Sequence, residues 1–117
     1  MIVKVRDSGK ECIIDVLADE ISTGLVHEIK EIVSLKKPNT RIAFNLLNIS
    51  SLSRAFLDFI EKSDSKISLF NIPLNVYLLL FIMKYDKIAD LYMSEKDFIL
   101  NRHSVVNRNF KLVGNQA

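Results

Sequence analysis

The chain has 117 residues, which fits one domain able to bury its own hydrophobic core. Hydrophobic residues make up 49% of it, which excludes a disordered chain, and a formal net charge of +2 with interspersed signs excludes the basic stripe of a nucleic-acid binder. The single cysteine, Cys12, excludes an internal disulfide.

Ile2, Val3 and Val5 alternate with Lys4 and Arg6 and predict a first strand rather than a secretory leader, so a cytoplasmic location is expected. Asp7-Ser8-Gly9-Lys10 is a turn signal, with Gly9 free to take positive φ. Cys12 to Leu17 predicts a second strand paired to the first, with Cys12 as inert core beside Ile13 and Ile14. Asp19 to Leu35 has helical periodicity through Ile21, Leu25, Ile29 and Ile32, and Pro38 follows as a stop. Gly24 weakens that helix by about 1 kcal/mol relative to alanine, which predicts a close approach to a neighbour.

Arg41 to Leu47 predicts a third strand and Leu52 to Lys62 a second helix, with Leu52, Phe56, Phe59 and Ile60 on one face. Lys66 to Ile72 predicts a fourth strand, with Ile67 and Leu69 inward and Phe70 as a further inward candidate, and Pro73 opens a third helix reaching Lys84. Its apolar run from Val76 to Met83 is far shorter than the ~20 residues of a membrane span. Ile88 to Tyr92 predicts a fifth strand, and Ser94, supported by Asp97, caps a fourth helix. Strands alternating with helices in this order define an α/β domain whose sheet is parallel after its opening hairpin.

In its element order the chain resembles the STAS family, the domain of bacterial anti-sigma factor antagonists and of the cytosolic parts of sulfate transporters. Ile42-Ala43-Phe44-Asn45-Leu46 looks like the family's hydrophobic strand ending in Asp-Leu, and Ser94-Glu95-Lys96-Asp97-Phe98 like its closing acidic helix start. The resemblance implies a mixed sheet of about four to five strands packed with about four helices. That domain spans residues 1–103, and residues 104–117 form a tail, either an extra edge strand or a covering arm. Counted from Asn45, the family's aspartate and phosphoaccepting serine fall on Ser53 and Arg54, and its small residue and glycine on Ala55 and Phe56. Where phosphoserine brings about −1.5 to −2 charge, arginine fixes a cation, so switching at this position is lost and partner docking remains.

The serine-rich turn running into the second helix is the candidate site, with Ser50, Ser51, Ser53, Arg54 and Asp58 as partner-binding residues. The serines are available hydroxyls that also suit turn formation or helix capping. Arg54 stands in the first helical turn, where a cation costs about 0.3–1 kcal/mol against the dipole. Either it pairs with Asp58 one turn on, or its planar fork meets a partner carboxylate. The third helix is apolar almost all round, which predicts a partner or self-association surface, a homodimer included; the competing expectation is cover by Phe110 and Leu112 of the tail.

His27 and His103 have no ligand-spaced companions, the glycines form no phosphate loop, and no nucleophile motif is present. A non-catalytic protein is expected, with no cofactor, no metal and no nucleic acid. Partners implied by the resemblance are an anti-sigma factor of the kinase type or an ATPase subunit. The alternatives are a small structural STAS subunit of an ABC-type lipid-transport ATPase, and a sensor holding an anion or nucleotide on the second helix's N-terminus.

Overall fold

The computed structural model describes residues 2–64 and 66–101. Strands β1 (Val3–Asp7) and β2 (Glu11–Val16) form an antiparallel hairpin. Gly9 turns it at φ 92°, with its N–H held by the Asp7 carboxylate at 2.8 Å. There follow α1 (Thr23–Ser34), β3 (Arg41–Asn45), α2 (Arg54–Lys62), β4 (Ile67–Phe70), α3 (Leu74–Ile82), a 3-10 turn (Tyr85–Lys87), β5 (Ala89–Leu91) and α4 (Glu95–Ile99). The mixed sheet of five strands has the order β1-β2-β3-β4-β5, parallel from β2 onward. The expected α/β architecture holds.

Because each crossover steps the same way along the sheet, right-handed connections put α1, α2 and α3 on one face. The main core lies there: Cys12, Ile14 and Val16 of β2, Ile42 and Phe44 of β3, and Ile67 and Leu69 of β4 meet Leu25, Phe56 and Val76 of the helices. Phe44 meets Phe56 edge-on, with ring centroids 5.2 Å apart. The alternate residues point to the other face, where Ile13, Ala43, Phe70, Tyr92 and Phe98 form a smaller cluster under α4. Phe70 therefore faces away from Ile67 and Leu69, although all three are buried.

Several boundaries shift for identifiable reasons. The first helix begins four residues later than expected, because Glu20 bridges to Ser51 and Ser22 is the residue whose oxygen caps the Leu25 amide at 3.2 Å. β3 ends at Asn45, whose carboxamide oxygen captures the Leu47 amide at 3.2 Å and turns the chain. Gly24 makes no close approach: a Cβ there would meet nothing nearer than Ser22 Oγ at 4.0 Å. Ser94 caps α4 by accepting from Asp97 N at 3.3 Å, as the sequence predicts. Among the described residues no helix is long and apolar enough to cross a membrane. The tail 104–117, with Phe110 and Leu112, and His103 lie outside the described residues.

Candidate functional site

The loops that follow β2, β3 and β4 gather at one end of the sheet, where α1, α2 and α3 begin. The serine-rich turn is sewn to its neighbours there. Ser50 N donates to Asp19 O at 2.8 Å, and Ser50 Oγ donates to the same oxygen at 3.4 Å. Ser51 forms a parallel bridge with Glu20. Ser53 is the N-cap of α2, with extended φ −81° and ψ 158°. Its Oγ accepts from Phe56 N at 3.2 Å and donates to Ile21 O. Asn75 Nδ2 of α3 donates to Ser50 O at 3.1 Å, tying the third loop to the second.

This geometry divides the predicted residues. Ser53 is half-buried and does structural work with both of its hydrogen-bonding capacities. Ser50 and Ser51 are exposed. Arg54 is the first helical residue of α2, and its side chain is 80% exposed. Its Nε lies 3.2 Å from Asp58 Oδ1, so the pair one turn apart forms at the surface. Such a pair contributes under about 1 kcal/mol, which leaves the guanidinium available to exchange partners. At the same end of the sheet Leu17 after β2, Leu47 after β3 and Leu74 at the start of α3 are 51%, 64% and 69% exposed. On α3, Val76, Tyr77 and Leu80 turn inward, while Leu74, Leu78 and Ile82 form an exposed stripe at four-residue spacing.

A second polar cluster, which the sequence reading passed over, sits beside this end on the other face of the sheet. Asp15, the penultimate residue of β2, takes Arg6 Nε at 2.8 Å and Arg6 Nη2 at 2.9 Å. The same guanidinium reaches Glu95 at the start of α4, through Nη1 at 3.0 Å and Nη2 at 2.6 Å. Asn45 Nδ2 donates to Asp15 Oδ1 at 2.9 Å, and Asn71 Nδ2 donates to Asn45 Oδ1 at 3.1 Å. Burial pushes the Asp15 carboxyl up, but the bonds from Arg6 and Asn45 outweigh it and hold the group below the usual carboxylate range. Glu95, then Asp15, raise the already high pKa of Arg6 further. The signal was present in the sequence: Asp15 interrupts an apolar strand, and Asn45 ends another.

The network gives a reason for asparagine at position 45. A carboxylate there would set two negative oxygens against each other where the structure has a donor and an acceptor.

Other features carry less chemistry. Burial pushes the Cys12 thiol up, and its residue is fully buried, which suits inert core. His27 faces Glu31 at 3.5 Å on the open surface of α1. A shallow groove of about 550 Å³ runs between α1 and α2, with Val26 and Phe59 beneath and His27, Lys30, Asp58 and Lys62 along it. Among the described residues no three His, Cys, Asp or Glu side chains are grouped to hold a metal. Among the described residues the strand order advances steadily and has no reversal point, the place where open α/β sheets form their ligand crevice.

No protein-family model matches this chain, and no curated protein matches it.

Proposed function

We propose that this chain is a non-catalytic interaction domain that docks a partner protein with the loop end of its sheet. The observation that carries the reading is the exposure of Leu17, Leu47, Leu74 and Arg54 at the end of the sheet where the helices begin. Exposed apolar groups contributed by separate segments gain by burial against a partner, at roughly 25 cal/mol per Å². Arg54 adds a planar fork that selects a carboxylate at the edge of that contact. The stripe Leu74, Leu78, Ile82 extends the same surface along α3.

The regulatory character comes from the STAS resemblance, which is supported by the matching order of elements and by the Ser94 cap. On that reading the domain belongs to a bacterial regulatory system, and its partner is an anti-sigma factor of the kinase type or an ATPase subunit. Docking is constitutive, because Arg54 carries a fixed cation and Ser53 cannot be modified without losing both its cap and its bond to Ile21. Ser50 and Ser51 are left to contact the partner backbone.

The test is capture from the native cell with the wild-type chain and with Arg54→Glu and Leu47→Ser/Leu74→Ser, with mass spectrometry of the bound proteins. A specific partner retained by the wild type and lost by both variants supports the reading. Equal capture by all three refutes it.

A further inference from the structure

We infer that the outer edge of β1 is a second docking site, which takes an extended segment of a partner protein with alternating apolar and acidic residues. This inference stands independently of the reading above, since it concerns a sheet edge and not the loops.

The backbone makes the first case. Leu17 N donates to Ile2 O at 2.8 Å at one end of the hairpin, and Ser8 N donates to Glu11 O at 2.9 Å at the other. In an antiparallel pair the hydrogen-bonding direction alternates, so even-numbered residues of β1 face β2. Val3 and Val5 therefore turn their N–H and C=O groups outward, and among the described residues no strand lies beyond them. Such an edge is a ready template for another strand.

The side chains make the second case. Ile2 is 48% and Val5 39% exposed, so the edge is not sealed by its own residues. A groove of about 700 Å³ runs beside it, lined by Ile2, Val3, Lys4 and Val5 of the strand and by Glu28 and Ile32 of α1. An added strand would send every second side chain into this groove, against Val3, Val5 and Ile32. The intervening side chains would lie on the opposite side, beside Lys4 and Arg6. Arg6 is already held by Asp15 and Glu95, while Lys4 is exposed and forms no direct ion pair among the described residues; Asp15, opposite it on β2, feels its charge but is hydrogen-bonded to Arg6. An acidic residue opposite Lys4 completes the fit.

Charge decides between occupants. A second copy pairing antiparallel over the whole of β1, centred on Val5, sets Lys4 of each copy opposite Arg6 of the other, which is unfavourable. The segment 102–117 carries Arg102, Arg108 and Lys111 and no acid, so it too would bring cations to a cationic edge.

The experiment uses the full chain and two labelled peptides, Val-Glu-Val-Glu-Val-Glu and its counterpart with lysine for glutamate, read by fluorescence anisotropy. The acidic peptide is expected to bind about tenfold more tightly than the basic one, and Lys4→Glu to reverse that order. Methylating alternate amide nitrogens of the acidic peptide is expected to abolish binding, because the side chains remain and the ladder does not. Exchange of the Val3 and Val5 amides, followed by NMR, should slow by about tenfold or more on binding. Equal affinity for the two peptides, or unchanged exchange at Val3 and Val5, overturns the inference. So does slow exchange of those amides in the free protein: independent of concentration it assigns the edge to 102–117, and rising with concentration it assigns it to a second copy.

Discussion

Replacing Asn45 by aspartate alters one contact and little else. Oδ1 would still accept from Leu47 N and Asn71 Nδ2, now at 3.2 and 3.1 Å. The second oxygen would take the place of Nδ2, 2.9 Å from Asp15 Oδ1, turning a hydrogen bond into a clash of like charges. The lost bond is worth about 1 kcal/mol, and two charges 4 Å apart at an effective dielectric of 20 repel by about 4 kcal/mol. Arg6 and partial solvent access offset much of the second figure. Protonating one carboxyl sets a ceiling, because holding a proton about three pH units above an ordinary aspartate pKa costs about 4 kcal/mol. Asn45→Asp should therefore lower stability by about 2–3 kcal/mol at pH 7. The sign with pH follows from linkage. In the variant the folded pair keeps a proton that the unfolded chain has lost, so its deficit is full at neutral pH and fades toward about pH 4. In the wild type Asp15 titrates below its usual range, so the stability it gives is present above the unfolded value and lost as pH falls through the folded one; this narrows the gap further. Urea unfolding of both proteins between pH 7 and pH 4 measures the difference. A deficit below about 1 kcal/mol at pH 7, or one that does not shrink on acidification, would refute the account of this network.

Gly24→Ala should stabilise the chain by about 0.5–1 kcal/mol, since open space surrounds the site and helix propensity improves; a lower melting temperature in calorimetry would contradict this. Ser53→Ala should cost about 1 kcal/mol or more while Arg54→Ala stays within about 0.5 kcal/mol of wild type, and the reverse order in denaturant titration would overturn their assigned roles. Phe98→Ala should cost about 3–5 kcal/mol, because it removes the ring that stacks 6.0 Å from Phe70 and lies beneath the Arg41 guanidinium at 4.3 Å; chemical unfolding checks it. Cys12 should resist a thiol reagent in the folded protein and react once denaturant is added, and fast labelling of native protein, seen by mass spectrometry, would count against its buried placement.

The strands and helices were legible because each carries its own period and stop signal within a few residues. The Ser94 cap is such a case: donor, acceptor and apolar follower lie within one helical turn. Ser53 shows the limit. A serine near a helix start suits a cap, although the expected helix begins one residue earlier at Leu52, and the Ser53 bond to Ile21 depends on the β2–α1 loop, a stretch whose periodicity reads as helix. The Arg6–Glu95 clamp was invisible for a different reason. Those residues lie at opposite ends of the chain and meet only because β1 and α4 share a face of the sheet. Arg54 was legible in both of its aspects, the surface pair and the exposure, since an i,i+4 relation needs only the helix itself.

The order in which the polypeptide is made bears on the lopsided layering of helices. Each crossover helix is synthesised between the strands it connects, so the main core can close as those strands arrive. The opposite surface has to wait for Phe98, which is translated after all five strands. Until then Ile13, Ala43, Phe70 and Tyr92 lack the ring that covers them, and apolar groups on this face stay open to contact with other chains.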